Sequence, residues 1–78
     1  MEISRHARNN MRLYKISESD IIEAIESSDV SDREGNKSIA IKKLSGRFSE
    51  YPLKVVYKSA EEDIYVITTY PLKKKHWR

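Results

Sequence analysis

The spacing of the apolar residues changes once along this sequence, from the 3.6-residue period of a helix to the two-residue period of a strand after residue 37. Before that point, three residues within 5–15 share one helical face: Ala7, Met11 and Tyr14. Ser4 is a suitable N-cap for this helix, and Ser17 predicts the start of a second helix with Asp20 as the acidic partner in a capping box. Two helices therefore precede the strands.

Three later segments have the composition and alternation of strands: residues 38–44, 53–58 and 63–70. The inward face of the second segment is Leu53, Val55 and Tyr57. The third segment is apolar on both faces, which favours the central position in a sheet. Residues 29–37 are polar and are interpreted as a connection. Helices followed by strands are typical of an α+β domain, so we expect two helices packed on a three-stranded, or four-stranded, antiparallel sheet.

A chain of 78 residues can bury one small hydrophobic core. We predict a single domain over residues 1–71 and a basic C-terminal tail over residues 72–78. The sequence has no apolar stretch of about 18 residues, no apolar segment of a signal peptide at its start, and no cysteine. These features exclude a transmembrane helix, a secretory leader, a disulfide framework and a thiolate metal site, and they predict a cytoplasmic protein.

The formal net charge of +3 is the sum of strongly segregated segments. Residues 17–34 carry seven acids and one base, whereas residues 1–16 carry four bases and one acid. The last eight residues carry four bases and no acid. Segregation of this kind indicates one acidic and one basic surface. Charges that merely keep a small domain solvated are the alternative interpretation.

The first helix gathers its cations on one stripe: Arg5, Arg8, Arg12 and Lys15. At about 100° per residue they span roughly 80° of the helix circumference, and a length of about 15 Å suits a nucleic-acid backbone. The tail adds Lys73, Lys74 and Lys75, followed by Trp77, whose ring is able to stack on a base. We therefore predict RNA as a partner. A solvated helix face, or a face neutralised by the acidic second helix, is the alternative.

His6 and Tyr70 are the candidate catalytic residues, because an imidazole or a phenol can transfer a proton during RNA cleavage. For His6, a place at the boundary of the core is the alternative role. The histidines are far apart in the sequence and no acid cluster has metal-ligand spacing, so we predict neither a metal site nor a cofactor. Arginine, lysine, histidine and tyrosine remain as the functional groups of a metal-independent ribonuclease.

Two parts of the chain resemble a known family: Ser4-Arg5-His6-Ala7 with Met11 and Ile16-Ser17, and then residues 53–57 and 63–71. This pattern is similar to the domain-of-unknown-function family numbered 4258, whose members begin S-x-H-A-x-x-R-M. The sequence departs from the family pattern at Asn10 and Tyr14, where arginine is favoured, and at Lys15, where glycine is usual. Carried over by position, His6, Ala7, Met11 and the strand residues match.

The resemblance implies an α+β fold similar to that of the BrnT and RelE toxins and, by analogy, a ribonuclease or translation inhibitor that an antitoxin protein holds in check. On this basis we expect an RNA-interacting, toxin-like domain, with a metal-independent endoribonuclease as its enzymatic form. The runner-up is a non-catalytic interaction module. In that case the acidic second helix docks a basic partner, or the third strand pairs with its copy in a homodimer.

Overall fold

A computed structural model describes residues 1–46, 48 and 51–73, and these residues form one sheet of five strands with two α-helices. The elements are β1 (Glu2–Ile3), α1 (Arg5–Tyr14), α2 (Glu18–Glu26), β2 (Val30–Glu34), β3 (Lys37–Lys42), β4 (Leu53–Ala60) and β5 (Asp63–Pro71). The strands form one sheet in the order β1-β5-β4-β3-β2. Among the described residues, no helix is long and apolar enough to cross a membrane.

The sheet is mixed and five-stranded, so the expectation of a three-stranded or four-stranded antiparallel sheet was wrong. β1 pairs with β5 in parallel, whereas β2, β3, β4 and β5 form successive antiparallel pairs. The α+β class and the two helices are confirmed. The sequence analysis missed β1 and β2, each for a different physical reason.

β1 has two residues, which are too few to show a hydrophobic period. Glu2 pairs with Tyr65 and Ile3 with Val66, so the geometry of β1 comes from its neighbour β5. The N-terminal ammonium group lies 2.8 Å from Asp63 Oδ1 at the start of β5. The hydrogen bond from this ammonium group lowers the pKa of Asp63, and the same contact raises the pKa of the ammonium group. A contact outside β1 therefore helps to place it.

β2 lies within the polar segment that the sequence analysis interpreted as a connection. Four of its five residues are exposed, because β2 is an edge strand of the sheet. Charged side chains are typical of such edges, where they hinder pairing with other chains. The two-residue turn between β2 and β3 is Gly35-Asn36, with a positive φ of 66° at Gly35. This turn chemistry predicts a hairpin even though the hydrophobic pattern does not.

Both helices begin at their predicted caps. In α1, Ser4 Oγ accepts a hydrogen bond from the Ala7 N–H at 3.0 Å. In α2, the Asp20 N–H donates to Ser17 Oγ at 3.1 Å, and the Ser17 N–H donates to Asp20 Oδ2 at 3.0 Å. The C-cap of α1 is Lys15, with a φ of 57°, a conformation that glycine adopts more easily. The departure from the family pattern at Lys15 therefore falls on a backbone that favours glycine.

Both helices pack on the same face of the sheet, named the covered face. Its core cluster consists of Ala7, Ile16, Ile21, Ala24, Leu44, Leu53, Val55 and Val66. The predicted inward face of the second strand segment is confirmed. Leu53 and Val55 have no exposed surface, and Tyr57 packs against the core.

A β-bulge interrupts the pairing of β4 with β5. Val56 and Tyr57 are neighbours in β4, but their partners in β5 are Thr68 and Val66. Ile67 is therefore the extra residue of the bulge and has no pairing partner in β4. From Thr68 onward, the extra residue shifts by one position which side chains of β5 lie on the covered face and which lie on the other face.

Beyond the bulge, Thr69 rather than Thr68 points at the helices, and Thr69 has no exposed surface. Its Oγ1 donates a hydrogen bond to the carbonyl oxygen of Lys54 at 3.0 Å. Ser4 Oγ donates to the carbonyl oxygen of Ile67 at 2.6 Å. The cap of α1 therefore also fastens the helix to the bulge.

The other face of the sheet is named the open face, because no helix lies over it in the part of the chain that the structure describes. Its centre consists of side chains that pair across β3, β4 and β5: Ile39, Ile41, Lys54, Val56, Thr68 and Tyr70. Ile41 is buried and the others are half-buried.

Candidate nucleic-acid interface

The helix α1 has one buried side and one basic side. Ala7 has no exposed surface and faces the sheet, whereas Arg5, Arg8 and Arg12 lie on the opposite, exposed side. Lys15, which is also exposed, follows at the C-cap. These four basic residues are named the α1 stripe. The structure places them together on one solvent-facing surface.

No acidic side chain within residues 1–46, 48 and 51–73 forms an ion pair with an arginine of the α1 stripe. The ion pairs described there join the N-terminal ammonium group to Asp63, and Lys42 Nζ to Asp29 Oδ1 at 3.7 Å. The acids of α2 therefore make no direct contact that neutralises these arginines.

Lys73 lies near the C-terminal end of α1. Its Nζ lies 6.0 Å from the ring centre of Tyr14, the last residue of α1, and 6.0 Å from that of Tyr51. An ammonium group at about this distance is attracted by the electron-rich face of the ring. The two tyrosines thus hold Lys73 near the C-terminal end of α1, where Tyr14 lies on the same helical face as Ala7 and not on the α1 stripe. Lys74 and Lys75, which were also predicted to bind nucleic acid, lie outside the described residues, as does the rest of the tail.

The two candidate catalytic residues lie on different sides of the sheet. His6 is exposed on α1, directly after Arg5 in the sequence. Tyr70 belongs to the open face, where Lys54 Nζ lies 5.7 Å from the centre of its ring. The structure therefore does not bring His6 and Tyr70 together. A ligand on the α1 stripe has His6 on the same helix, whereas Tyr70 can act only on a ligand at the open face.

Lys54 and Thr68 are residues of the open face that the sequence analysis did not single out. Lys54 alternates with the buried residues of β4, so its outward position was predictable, but its contact with Tyr70 depends on the pairing of β4 with β5. Thr68 Oγ1 is buried and has no hydrogen-bond partner among the described residues. No sequence signal distinguishes it from the identical Thr69, because the bulge decides which of the two faces the helices.

The chemistry available at the α1 stripe is that of guanidinium, ammonium and imidazole groups. Guanidinium groups bind phosphate oxygens through two parallel hydrogen bonds, and an imidazole can accept or donate a proton near neutral pH. Over the described ranges of the chain, no cluster of three or more His, Cys, Asp or Glu side chains could hold a metal ion.

Comparison with known proteins relates most of this structure to one family. Neither a curated protein nor a solved structure matches the chain. The family described as Domain of unknown function (DUF4258) matches residues 3–71, a range that contains both helices and nearly the whole sheet. The chain therefore belongs to the DUF4258 family.

Proposed function

We propose that this chain is an RNA-interacting, toxin-like domain that binds the phosphate backbone along the α1 stripe. The observation that carries the proposal is the row of three exposed arginines, Arg5, Arg8 and Arg12, which have no acidic partner among the described residues. Their guanidinium groups keep their hydrogen-bond donors available for phosphate oxygens.

The dimensions of the surface suit an extended strand of RNA. α1 has ten residues and is therefore about 15 Å long. Lys73 adds one more positive charge near the C-terminal end of the helix, where Tyr14 and Tyr51 hold it. Neutralising several phosphates releases their counterions, which gives affinity that does not depend on base sequence.

RNA cleavage is the enzymatic form of the proposal, with His6 as the group that moves the proton. A neutral imidazole takes the proton of a ribose 2′-hydroxyl, and the 2′-oxygen then bonds to the adjacent phosphorus while the bond from phosphorus to the 5′-oxygen breaks. The leaving 5′-oxygen takes up a proton from water. A guanidinium group of the α1 stripe stabilises the charge on the phosphoryl oxygens. Tyr70, with Lys54 beside it, offers a second proton-transfer group to RNA that reaches the open face.

The toxin-like character rests on membership of the family and on analogy with the BrnT and RelE toxins. An antitoxin protein is the partner that this analogy implies. A small neighbouring gene with a DNA-binding pattern would support this part of the proposal.

RNA affinity as a function of salt tests the binding surface. We expect a fluorescein-labelled oligouridylate to bind the full chain with an affinity that falls steeply as salt increases. Arg8→Gln and Arg12→Gln should each weaken binding and reduce the logarithmic salt slope by about 1. Lys37→Gln on β3 removes the same charge away from α1 and serves as the matched control. A flat salt response, or equal effects of all three variants, contradicts the proposed surface.

Expression in a bacterial host tests the enzymatic form. We expect growth arrest and new transcript ends that carry 2′,3′-cyclic phosphates, both of which should be lost in His6→Ala. Tyr70→Phe is the comparison, since it removes only the hydroxyl group of the other candidate residue. Normal growth with intact transcripts contradicts cleavage but leaves the salt-dependent binding to be judged by itself.

A further inference from the structure

A groove of about 200 Å³ opens between α2 and the turn that joins β4 to β5. Its apolar lining consists of Met1, Ile22, Ile25 and Ile64. Ile25 and Ile64 also pack against the core, whereas Ile22 is 43% exposed and Met1 is 39% exposed. The volume is below the ~300–1,000 Å³ of typical small-molecule sites, and it suits one large apolar side chain.

Acidic side chains surround this apolar space. Glu26 of α2 and Glu62 of the turn line the groove, are exposed and form no ion pair within the described residues. Asp63, which also lines it, is bound by the N-terminal ammonium group. The pKa of that ammonium group is raised chiefly by Asp63 and further by Glu2 and Glu18, so these two acids lie nearby as well. The groove and its rim are named the acidic groove.

The basic side chains of the neighbouring elements lie elsewhere. Lys58 of β4 is on the open face, because it follows Tyr57 of the covered face. Arg33 is on the covered side of edge strand β2, which is three strands and about 14 Å away from β5. Arg5 is the first residue of α1 and lies on its exposed side. The acidic groove therefore favours a cationic ligand that carries an apolar group.

The exposed side of α1 has the complementary chemistry. Leu13 is 69% exposed, the highest fraction among the large apolar side chains that the structure describes. Arg12 and Arg5 lie about 100° and about 80° from it around the helix axis. α1 contains no acidic residue. Binding in the acidic groove would remove Leu13 from water and would bring the arginines to acids that have no ion-pair partner of their own.

We propose that the acidic groove of one copy of the chain binds α1 of a second copy. Leu13 of the second copy would enter the apolar space beside Ile22, and its Arg12 would lie near Glu26 and Glu62. The two surfaces are different parts of the chain, so the contact is heterologous, and each copy offers one groove and one helix. Arg12 also belongs to the α1 stripe, so self-association would compete with RNA, but it does not depend on RNA binding.

Charge disfavours several other occupants of the acidic groove. RNA and anionic lipid would be repelled by its acids. Two copies docked groove to groove would set Glu26 and Glu62 against the same residues. Residues 74–78 of a second copy are basic and include Trp77, and a basic segment of another protein would have similar chemistry. α1 presents its leucine and its arginines on a folded helix, where their relative positions are already fixed.

Sedimentation velocity of the full chain, without RNA, tests the proposal. We expect association that increases with protein concentration and weakens with added salt. Glu62→Lys in the groove and Leu13→Ser on the helix should each raise the dissociation constant about tenfold. Glu34→Lys on edge strand β2 makes the same change of charge away from both surfaces and should leave the dissociation constant unchanged.

A mixture of Glu62→Lys with Leu13→Ser tests whether the groove and the helix bind each other. The helix of Glu62→Lys and the groove of Leu13→Ser are unaltered, so one intact contact is possible between the two variants. We expect dimers that contain one chain of each kind and no larger species, at a concentration at which neither variant associates by itself. Thermal melting of each variant establishes folding, and Arg12→Ser replaces Leu13→Ser if that variant unfolds.

Three outcomes overturn the proposal. The first is a chain that stays monomeric at low salt and at every concentration reached, which would leave the acidic groove to another protein. The second is association that Leu13→Ser leaves intact and that is lost in a chain ending at Lys73, which would make residues 74–78 the occupant. The third is a mixture of Glu62→Lys with Leu13→Ser that forms no dimers, or an effect of Glu34→Lys as large as that of Glu62→Lys.

Discussion

The two faces of the sheet are built from neighbouring residues of the same types, yet their surroundings differ. Val55 has no exposed surface on the covered face, whereas the adjacent Val56 is half-buried on the open face. Thr69 is buried and hydrogen-bonded, while Thr68 Oγ1 lacks a partner among the described residues. The comparison teaches that alternation and one bulge, rather than residue type, assign each side chain to the covered face with its core or to the open face.

The valine pair gives the largest expected difference. Val55→Ala removes two buried methyl groups and leaves a cavity, so we expect the free energy of unfolding to fall by about 2–3 kcal/mol. Val56→Ala should lower it by less than about 1 kcal/mol, because that side chain is half-buried. Urea denaturation of both variants measures the difference. Equal losses would show that the open face is as well covered as the other.

The cap that attaches α1 to the covered face gives the next largest effect. Ser4→Ala removes the acceptor for the Ala7 N–H and the donor to the Ile67 carbonyl, so we expect a loss of about 1–2 kcal/mol. Ser4→Thr keeps the hydroxyl group and should restore most of the stability. Ser31→Ala, an exposed serine of β2, is the control and should change little. A small effect of Ser4→Ala, equal to that of Ser31→Ala, would mean that other contacts hold α1.

The sequence predicts the covered face better than the edges of the sheet. Both caps and the inward side chains of β4 follow from local patterns, because capping and alternation involve residues close in sequence. β1 and its parallel pairing could not be predicted, since two residues carry no period and their partner lies more than sixty positions away. The hydrophobic pattern did not predict β2, because most of its residues are polar, although the turn residues Gly35-Asn36 are typical of a hairpin.

In the candidate site, too, some features follow from local sequence patterns and others depend on contacts between distant parts of the chain. The positions of Arg5, Arg8 and Arg12 on one exposed side follow from helical geometry alone. The separation of His6 from Tyr70 depends on which face Tyr70 occupies, and the bulge at Ile67 sets that choice. The contacts of Lys73 with two tyrosines join distant parts of the chain, so no local sequence pattern predicts them.

The threonine pair tests the bulge itself. Thr69→Val removes a buried hydrogen bond to the Lys54 carbonyl, so we expect a loss of about 1 kcal/mol. Thr68→Val removes a hydroxyl that has no partner among the described residues, so it should leave stability unchanged or raise it slightly. Thermal melting of the two variants makes the comparison, because each replaces the same group with the same methyl. If Thr68→Val lowers the melting temperature more than Thr69→Val does, then Thr68 and not Thr69 lies on the covered face, and the assignment of β5 beyond the bulge is reversed.

The smallest effect concerns β1, the edge strand that borders both faces, and it appears only as a dependence on pH. The pKa of Asp63 is lowered by the N-terminal ammonium group, so its contribution to stability is present above the usual value of 3.8 and is lost as the pH falls through the folded-state pKa. The pKa of the ammonium group is raised, so the same contact is complete below 8.0 and is lost as the pH rises through the folded-state value. Asp63→Asn keeps an acceptor for the Ile64 N–H and removes the charge. Urea midpoints of the two proteins should therefore differ most between these limits and converge at both ends. A constant difference across the pH range would assign the effect of the substitution to something other than the ion pair at β1.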